Sequence, residues 1–160
     1  MQIHSTRFGV FEVADDAILE FPDGLIGLLG TRYALVAREE QLPFYWLQSA
    51  EREEIALPVT NPWLFFPDYE VSVPDDEAHL LGLTAPEEAE ILCVVRAAQT
   101  PSEFTVNLAA PIVIHCERRL GRQIINGVHG YSVRQPLFQE VELDEVRPAV
   151  QGIPAHATAL

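Results

Sequence analysis

The sequence predicts an all-β fold, a small antiparallel β-barrel-like domain with one or two short helical turns. Three observations support this class. About ten short apolar or alternating runs, rich in β-branched and aromatic residues, are separated by Gly, Pro and Asp turns. Segments with helical features are short, and the regular spacing of the turns favours closure of the sheet. A hydrophobic content of 48% over 160 residues is sufficient for one core.

The first strands alternate apolar and polar residues. Segments 2–6 and 10–14 flank Gly9 and predict a hairpin. Segment 17–21 predicts a third strand, which ends at the turn of residues 22–24. Further strands are predicted at 33–38, 44–49, 55–59, 68–73, 91–97, 104–108, 111–117, 122–126 and 130–134.

Two short segments favour helix. Segment 74–81 begins with proline and three acids, and negative charge is favourable at the start of a helix. Segment 84–90 has Thr84 as an N-cap before a proline and two glutamates. Residues 139–160 lack periodicity and are rich in Ala and Pro. We therefore predict a barrel domain of residues 1–138 followed by a flexible C-terminal tail.

The sequence contains no motif typical of catalysis, cofactor binding or metal binding. The five histidines do not have the spacing of a zinc site, and no Cys-x-x-Cys occurs. Adjacent His115 and Cys116 would point to opposite faces of a strand, as a polar residue beside a core thiol. Cys93 lies in an apolar run and is predicted to be unreactive. We find no G-x-S-x-G elbow and no phosphate loop, so we expect no enzymatic activity, cofactor or metal.

The sequence predicts a cytoplasmic protein. The N-terminus has no basic region followed by an apolar stretch, as a secretory signal would have. No apolar run approaches the roughly 20 residues needed to span a bilayer. The two cysteines do not form a disulfide framework, which is consistent with a reducing compartment.

Charge is unevenly distributed. The net charge is −14, lysine is absent, and the 43 residues from Glu53 to Val95 hold ten acids and no arginine. Three arginines, Arg118, Arg119 and Arg122, lie in one short stretch. We therefore predict an extended acidic region and a separate small basic turn. Such a surface disfavours direct binding of nucleic acid or anionic membranes and favours basic partners. The alternative is a solvated surface that only maintains solubility.

Segment 60–73 combines aromatic and acidic residues. It holds four aromatic residues around Pro62 and Pro67, and carboxylates follow. A proline-bounded aromatic turn can close one end of a barrel, or it can present an apolar anchor surrounded by charge. Both interpretations are consistent with the sequence.

Five segments of the chain form one distinctive set. They are FPDGLIGL at 21–28, PFYWLQS at 43–49, NPWLFFPDYEV at 61–71, NLAAPIVI at 107–114 and GRQIINGVHGYSVRQPLF at 121–138. Together these segments resemble the FliW family of flagellar assembly factors, and the resemblance extends from about Ile3 to Phe138. Ile26 stands where the family often has proline, and His115 with Cys116 replaces a more usual asparagine.

The resemblance implies a cytoplasmic β-barrel-like protein without a catalytic site, monomeric when free. It implies two partners, flagellin and the translational regulator CsrA. By binding CsrA the protein would relieve repression of flagellin synthesis. The alternative is a hollow β-barrel that binds a small apolar ligand. The residues predicted to contact the partners are Asp68, Tyr69, Glu70, Asp75, Asp76 and Glu77.

Overall fold

A computed structural model describes residues 1–138, which contain eleven strands, one α-helix and five single 3₁₀ turns. The predicted tail, residues 139–160, lies outside the described residues, so that boundary stays a prediction. The helix α1 spans Asp75–Leu81. The strands are β1 (Gln2–Ser5), β2 (Gly9–Glu12), β3 (Leu19–Glu20), β4 (Arg32–Ala37), β5 (Phe44–Ser49), β6 (Ala56–Thr60), β7 (Ala89–Arg96), β8 (Thr105–Val106), β9 (Ile112–His115), β10 (Leu120–Gln123) and β11 (Gln135–Pro136).

Seven strands close into a barrel. Strands β3 to β7 form an antiparallel meander, β9 pairs with the first half of β7, and β10 pairs with β9. The ring closes where Leu120 of β10 pairs with Glu20 of β3 in parallel orientation. The barrel prediction is confirmed, with one correction: this closing pair is parallel. The hairpin β1–β2 forms a separate sheet, and β8 with β11 extends from the far end of β7.

The barrel interior is packed with side chains from alternate strand positions. Tyr33 on β4, Leu47 on β5 and Leu92 on β7 are fully buried in one cluster, together with Ile112 and Ile114 on β9. Inward-facing large side chains fill a barrel of this strand number. This packed interior argues against the hollow barrel that the small-ligand alternative requires.

Helix α1 covers the outer face of β7 and β9. Leu81 packs there with Ile91 and Val113, which point away from the barrel interior. The helix ends at Gly82, whose φ of 72° is in the left-handed region. This backbone conformation favours glycine, and an added Cβ would also lie 2.7 Å from Cζ of Arg118, whose flexible side chain would have to move. The helix predicted at 74–81 is thus confirmed.

Two local predictions are wrong. Segment 68–73 is not a strand, because loop side chains occupy its backbone donors: Ser72 N–H donates to Asn126 Oδ1 at 3.1 Å. Segment 130–134 is a turn with Gly130 at φ 99°, and the following residues form β11 instead. The short helical segment predicted at 84–90 is present as the single 3₁₀ turn Pro86–Glu88, with Ala85 and not Thr84 as its N-cap, since β7 begins at Ala89.

Candidate functional site

The aromatic turn, residues 61–66, closes one end of the fold. The Asn61 side chain accepts a hydrogen bond from the Trp63 N–H at 2.9 Å, which fixes the start of the turn. Phe65 is buried and stacks on Phe44 with ring centroids 5.9 Å apart. Trp63 is half-buried, and its Nε1 donates to the carbonyl of Tyr69 at 2.8 Å. Most of the aromatic surface of this segment is therefore packed within the molecule. This agrees with the interpretation that the turn closes one end of the barrel, and it leaves little of that surface as an exposed anchor.

Tyr69 ties the loop after the aromatic turn to the core. Its side chain is 4% exposed, and its hydroxyl donates to the Leu108 carbonyl at 2.7 Å. The Asn126 side chain donates to the same hydroxyl at 3.3 Å. Burial raises the pKa of the Tyr69 phenol well above its ordinary value. Tyr69 therefore supports the loop and does not offer its side chain to a partner, which corrects its place in the predicted contact set.

Four of the predicted contact residues are exposed acids, and this set is called the acidic face. Asp68 and Glu70 lie on the loop after the aromatic turn, and Asp75 and Asp76 lie in the first turn of α1. All four side chains are exposed, and within residues 1–138 none of them forms a salt bridge. They stay the predicted partner contacts.

The sixth predicted contact, Glu77, is engaged within the molecule. Its carboxylate accepts from the guanidinium of Arg122 on β10, and Arg122 also contacts Asp23. These two carboxylates raise the pKa of Arg122 above its ordinary value. Together with Arg118 beside Gly82, this contact brings the basic stretch against α1. The predicted separation of an acidic region from a basic turn is therefore wrong on this side of the molecule.

An apolar groove of about 640 Å³ lies between α1, the loop before it and the start of β7. Sequence reasoning missed this groove, because its walls come from separate elements. The sequence did contain one signal, the alternation of Val71 and Val73 with polar residues. The structure shows that both valines are only half-buried. The walls include Trp63, Val71, Val73, Ala78, Ala85 and Ile91.

Glu88 organises the loop at one side of the groove. Its Oε1 accepts from the backbone N–H groups of Thr84 at 2.7 Å and Ala85 at 2.8 Å. Its Oε2 lies 3.4 Å from Nε2 of His115. The Thr84 and Ala85 hydrogen bonds, with a smaller effect of His115, lower the pKa of Glu88 to about 2. This carboxylate fixes the loop in one conformation.

The predicted environments of His115 and Cys116 are reversed. His115 is 2% exposed, and its Nδ1 accepts the Arg118 N–H at 3.3 Å, whereas Cys116 is half-buried. His115 pairs with Ala89 on β7 and is covered by the loop that Glu88 holds. Cys93 is fully buried, and desolvation raises the pKa of its thiol to about 12, so it is in the unreactive thiol form as predicted.

Within residues 1–138, no group of three or more His, Cys, Asp or Glu side chains is arranged to hold a metal ion. No helix in the same range is long and apolar enough to cross a membrane. These residues thus define a closed β-barrel with a packed interior, whose acidic face and apolar groove lie on the outside.

Comparisons with known proteins identify the family. The family model described as FliW protein matches residues 2–137. The flagellar assembly factor FliW of Caldicellulosiruptor bescii is 34% identical over 143 residues, 89% of this chain and 94% of the relative. That of Magnetococcus marinus is 39% identical over 142 residues, 88% of this chain and 86% of the relative.

A solved structure agrees with these sequence comparisons. The crystal structure of a flagellar assembly factor FliW superimposes with a TM-score of 0.81 at 29% identity, covering 88% of this chain and 99% of that one. The chain belongs to the FliW family of flagellar assembly factors. The family resemblance and the β-barrel class stated from the sequence are both confirmed.

Proposed function

We propose that this protein is a cytoplasmic flagellar assembly factor that binds flagellin and, in competition with it, the translational regulator CsrA. Binding to CsrA relieves repression of flagellin synthesis. The protein acts through binding alone, without a catalytic step, cofactor or direct contact with nucleic acid, and it is a monomer when free. Family membership supports the flagellar role.

The acidic face is the observation that carries the CsrA half of this proposal. Residues 1–138 contain 20 acids and 9 arginines, and Asp68, Glu70, Asp75 and Asp76 are all exposed within residues 67–76, directly after the aromatic turn. A protein that holds RNA is basic where the phosphates bind. An acidic surface attracts that region, and it repels the phosphates that compete for it.

The proposal is tested with purified full-length protein, unpolymerised flagellin and CsrA. We expect saturable binding to each protein partner at micromolar concentration, and release of a labelled flagellin leader RNA from CsrA as the protein is added. No binding should be seen when the RNA is offered alone. A folded protein that retains neither partner would contradict the proposal, and retention of one partner only would remove the other half.

A further inference from the structure

We propose that the apolar groove beside α1 is the anchor site of this protein: it receives one apolar side chain from a partner segment that carries arginine or lysine next to that side chain. This inference rests on the proposed function, because it names the chemistry by which a protein partner is held.

The shape and lining of the groove suit a side chain. Its volume of about 640 Å³ exceeds what one leucine or phenylalanine needs, so it can hold an anchor together with part of its backbone. Trp63, Val71 and Val73 contribute large apolar side chains to its lining, and Ala78 and Ala85 contribute small ones. Burial of an apolar side chain in such a groove is favourable because it removes apolar surface from water.

The charges around the groove favour a basic segment. The elements that form its walls carry Asp75, Asp76 and Glu87, which are exposed and form no salt bridge within residues 1–138. Two other acids nearby are engaged: Glu77 with Arg122, and Glu88 with the Thr84–Ala85 backbone and His115. Glu90 also lines the groove, but it is buried and does not belong to the exposed acids.

The exposed acids Asp75, Asp76 and Glu87 are called the acidic rim, and the remaining basic groups on this side do not neutralise their charge. His79 is exposed on α1, and the guanidinium of Arg118 lies against Gly82 at the end of the helix. Arginine or lysine beside the anchor would therefore meet unpaired carboxylates at the start of α1. Charge complementarity of this kind selects a peptide segment over a neutral apolar ligand, which would make no use of the rim.

The groove is preorganised. The Trp63 ring is fixed by its hydrogen bond to the Tyr69 carbonyl, and the loop at 84–88 is fixed by the Glu88 carboxylate. Asn126 holds the remaining wall, since its side chain accepts from Ser72 N–H and donates to the Glu70 carbonyl. Walls that are already ordered cost little conformational entropy when a partner binds.

The experiment fills the groove. Ala78→Phe places a ring in it from α1, Ala85→Phe places one from the loop before β7, and Ala97→Phe places the same ring at an exposed position elsewhere. Affinities of the full-length variants for CsrA and for unpolymerised flagellin are measured by calorimetry. We expect both filling variants to bind at least one partner about tenfold or more weakly than Ala97→Phe, at unchanged thermal stability.

The outcomes separate the two proposals. If the parent protein binds its partners and both filling variants bind them equally well, the anchor site is wrong while the proposed function stands. If the parent binds neither partner, the proposed function itself fails.

A second experiment uses overlapping 15-residue peptides from both partners as probes. We expect the peptides that bind to be those with an apolar residue next to Arg or Lys. A small molecule retained in the groove by native mass spectrometry, and lost from Ala78→Phe, would overturn the inference.

Discussion

At the scale of single residues, hydrogen bonds of Tyr69 and Glu88 hold the loops that carry the acidic face and the groove. Tyr69 was predicted as a contact residue, but its hydroxyl satisfies the Leu108 carbonyl and accepts from Asn126. Glu88 was one of many acids in the sequence, yet it is the acid that organises a groove wall. Each of these roles depends on a few hydrogen bonds, so each can be tested with a single substitution.

Removing the Tyr69 hydroxyl should destabilise the fold. Tyr69→Phe leaves the buried Leu108 carbonyl without its donor, and an unsatisfied buried group costs about 1–3 kcal/mol. The matched control is Tyr131→Phe, which removes a hydroxyl that accepts the exposed Glu70 N–H. We expect the free energy of unfolding, measured by urea titration, to fall by at least 1 kcal/mol more for Tyr69→Phe than for the control. Equal losses would show that the buried hydrogen bond is unimportant.

The loop held by Glu88 should weaken in acid. The folded protein holds the pKa of Glu88 at about 2, below its ordinary value of 4.5. The unfolded chain therefore takes up the proton first as the pH falls, so the stabilisation is complete above about pH 4.5 and decreases toward pH 2. Melting temperatures between pH 6 and pH 3 should fall more steeply for the parent than for Glu88→Gln.

The neighbouring exposed residue Glu87 is the matched control for this titration. Glu87→Gln should keep the steep acid dependence of the parent protein. A Glu88→Gln variant with the same slope as the parent would mean that other carboxylates determine the acid sensitivity.

At the scale of elements, α1 has two different sides. Leu81 packs on β7 and β9, whereas Asp75 and Asp76 are exposed at the start of the helix. Negative charge at a helix start is favourable, so these acids stabilise α1 while they remain available to a partner. The helix therefore contributes both to the acidic face and, through Ala78, to the groove.

Reversing the acidic face should weaken the CsrA complex. Asp68→Arg, Glu70→Arg and Asp75→Arg in one protein should reduce affinity more than tenfold, about 1.4 kcal/mol. The effect should fall mainly on the association rate, and the parent's association should slow as salt rises, since charges are screened over about 10 Å at 0.1 M. Surface plasmon resonance at several salt concentrations measures both.

The matched control reverses the charge of three exposed acids elsewhere in the chain. They lie on two 3₁₀ turns and are Glu39, Glu40 and Glu103. This control has the same net charge as the reversed variant, so it separates local from overall charge. Helix loss from Asp75→Arg should be modest, because a charge at a helix terminus contributes about 0.3–1 kcal/mol. If both triple variants displace RNA from CsrA as well as the parent does, the acidic face only maintains solubility.

At the scale of the whole molecule, the ring of seven strands closes within residues 1–138. Phe138 packs against Phe65 with ring centroids 5.7 Å apart, so the last described residue belongs to an aromatic core cluster. That residues 1–138 fold as one domain independently of residues 139–160 stays a prediction.

Deletion of residues 140–160 should leave the melting temperature nearly unchanged, because the barrel and the Phe138 contact remain. Differential scanning calorimetry of the shortened chain checks this expectation. Deletion of residues 137–160 is the contrasting variant. It also removes Leu137, which is fully buried, and Phe138, which is half-buried, so it should lower the melting temperature by several degrees. A large loss from the shorter deletion would show that the tail packs on the barrel.

The sequence by itself determined the β-barrel class, most strand positions, helix 75–81, the acidic character and the FliW family. These features depend on local periodicity, capping and composition, which are readable along the chain. The prediction failed at 68–73, where an alternating pattern typical of a strand occurs in a loop. An alternating pattern indicates which side chains are buried, but it does not show what the backbone bonds to. In this segment a loop side chain, that of Asn126, takes the place of a neighbouring strand as a hydrogen-bond partner.

Only the tertiary structure decided which residues of the candidate site are available. Glu77 is engaged by Arg122, 45 positions away, and Tyr69 is held by the Leu108 carbonyl, 39 positions away. The parallel pairing of Leu120 with Glu20 and the groove between the helix and β7 likewise join distant segments. Contacts of this kind depend on how the closed barrel brings separate strands together, and no pattern within one segment encodes them.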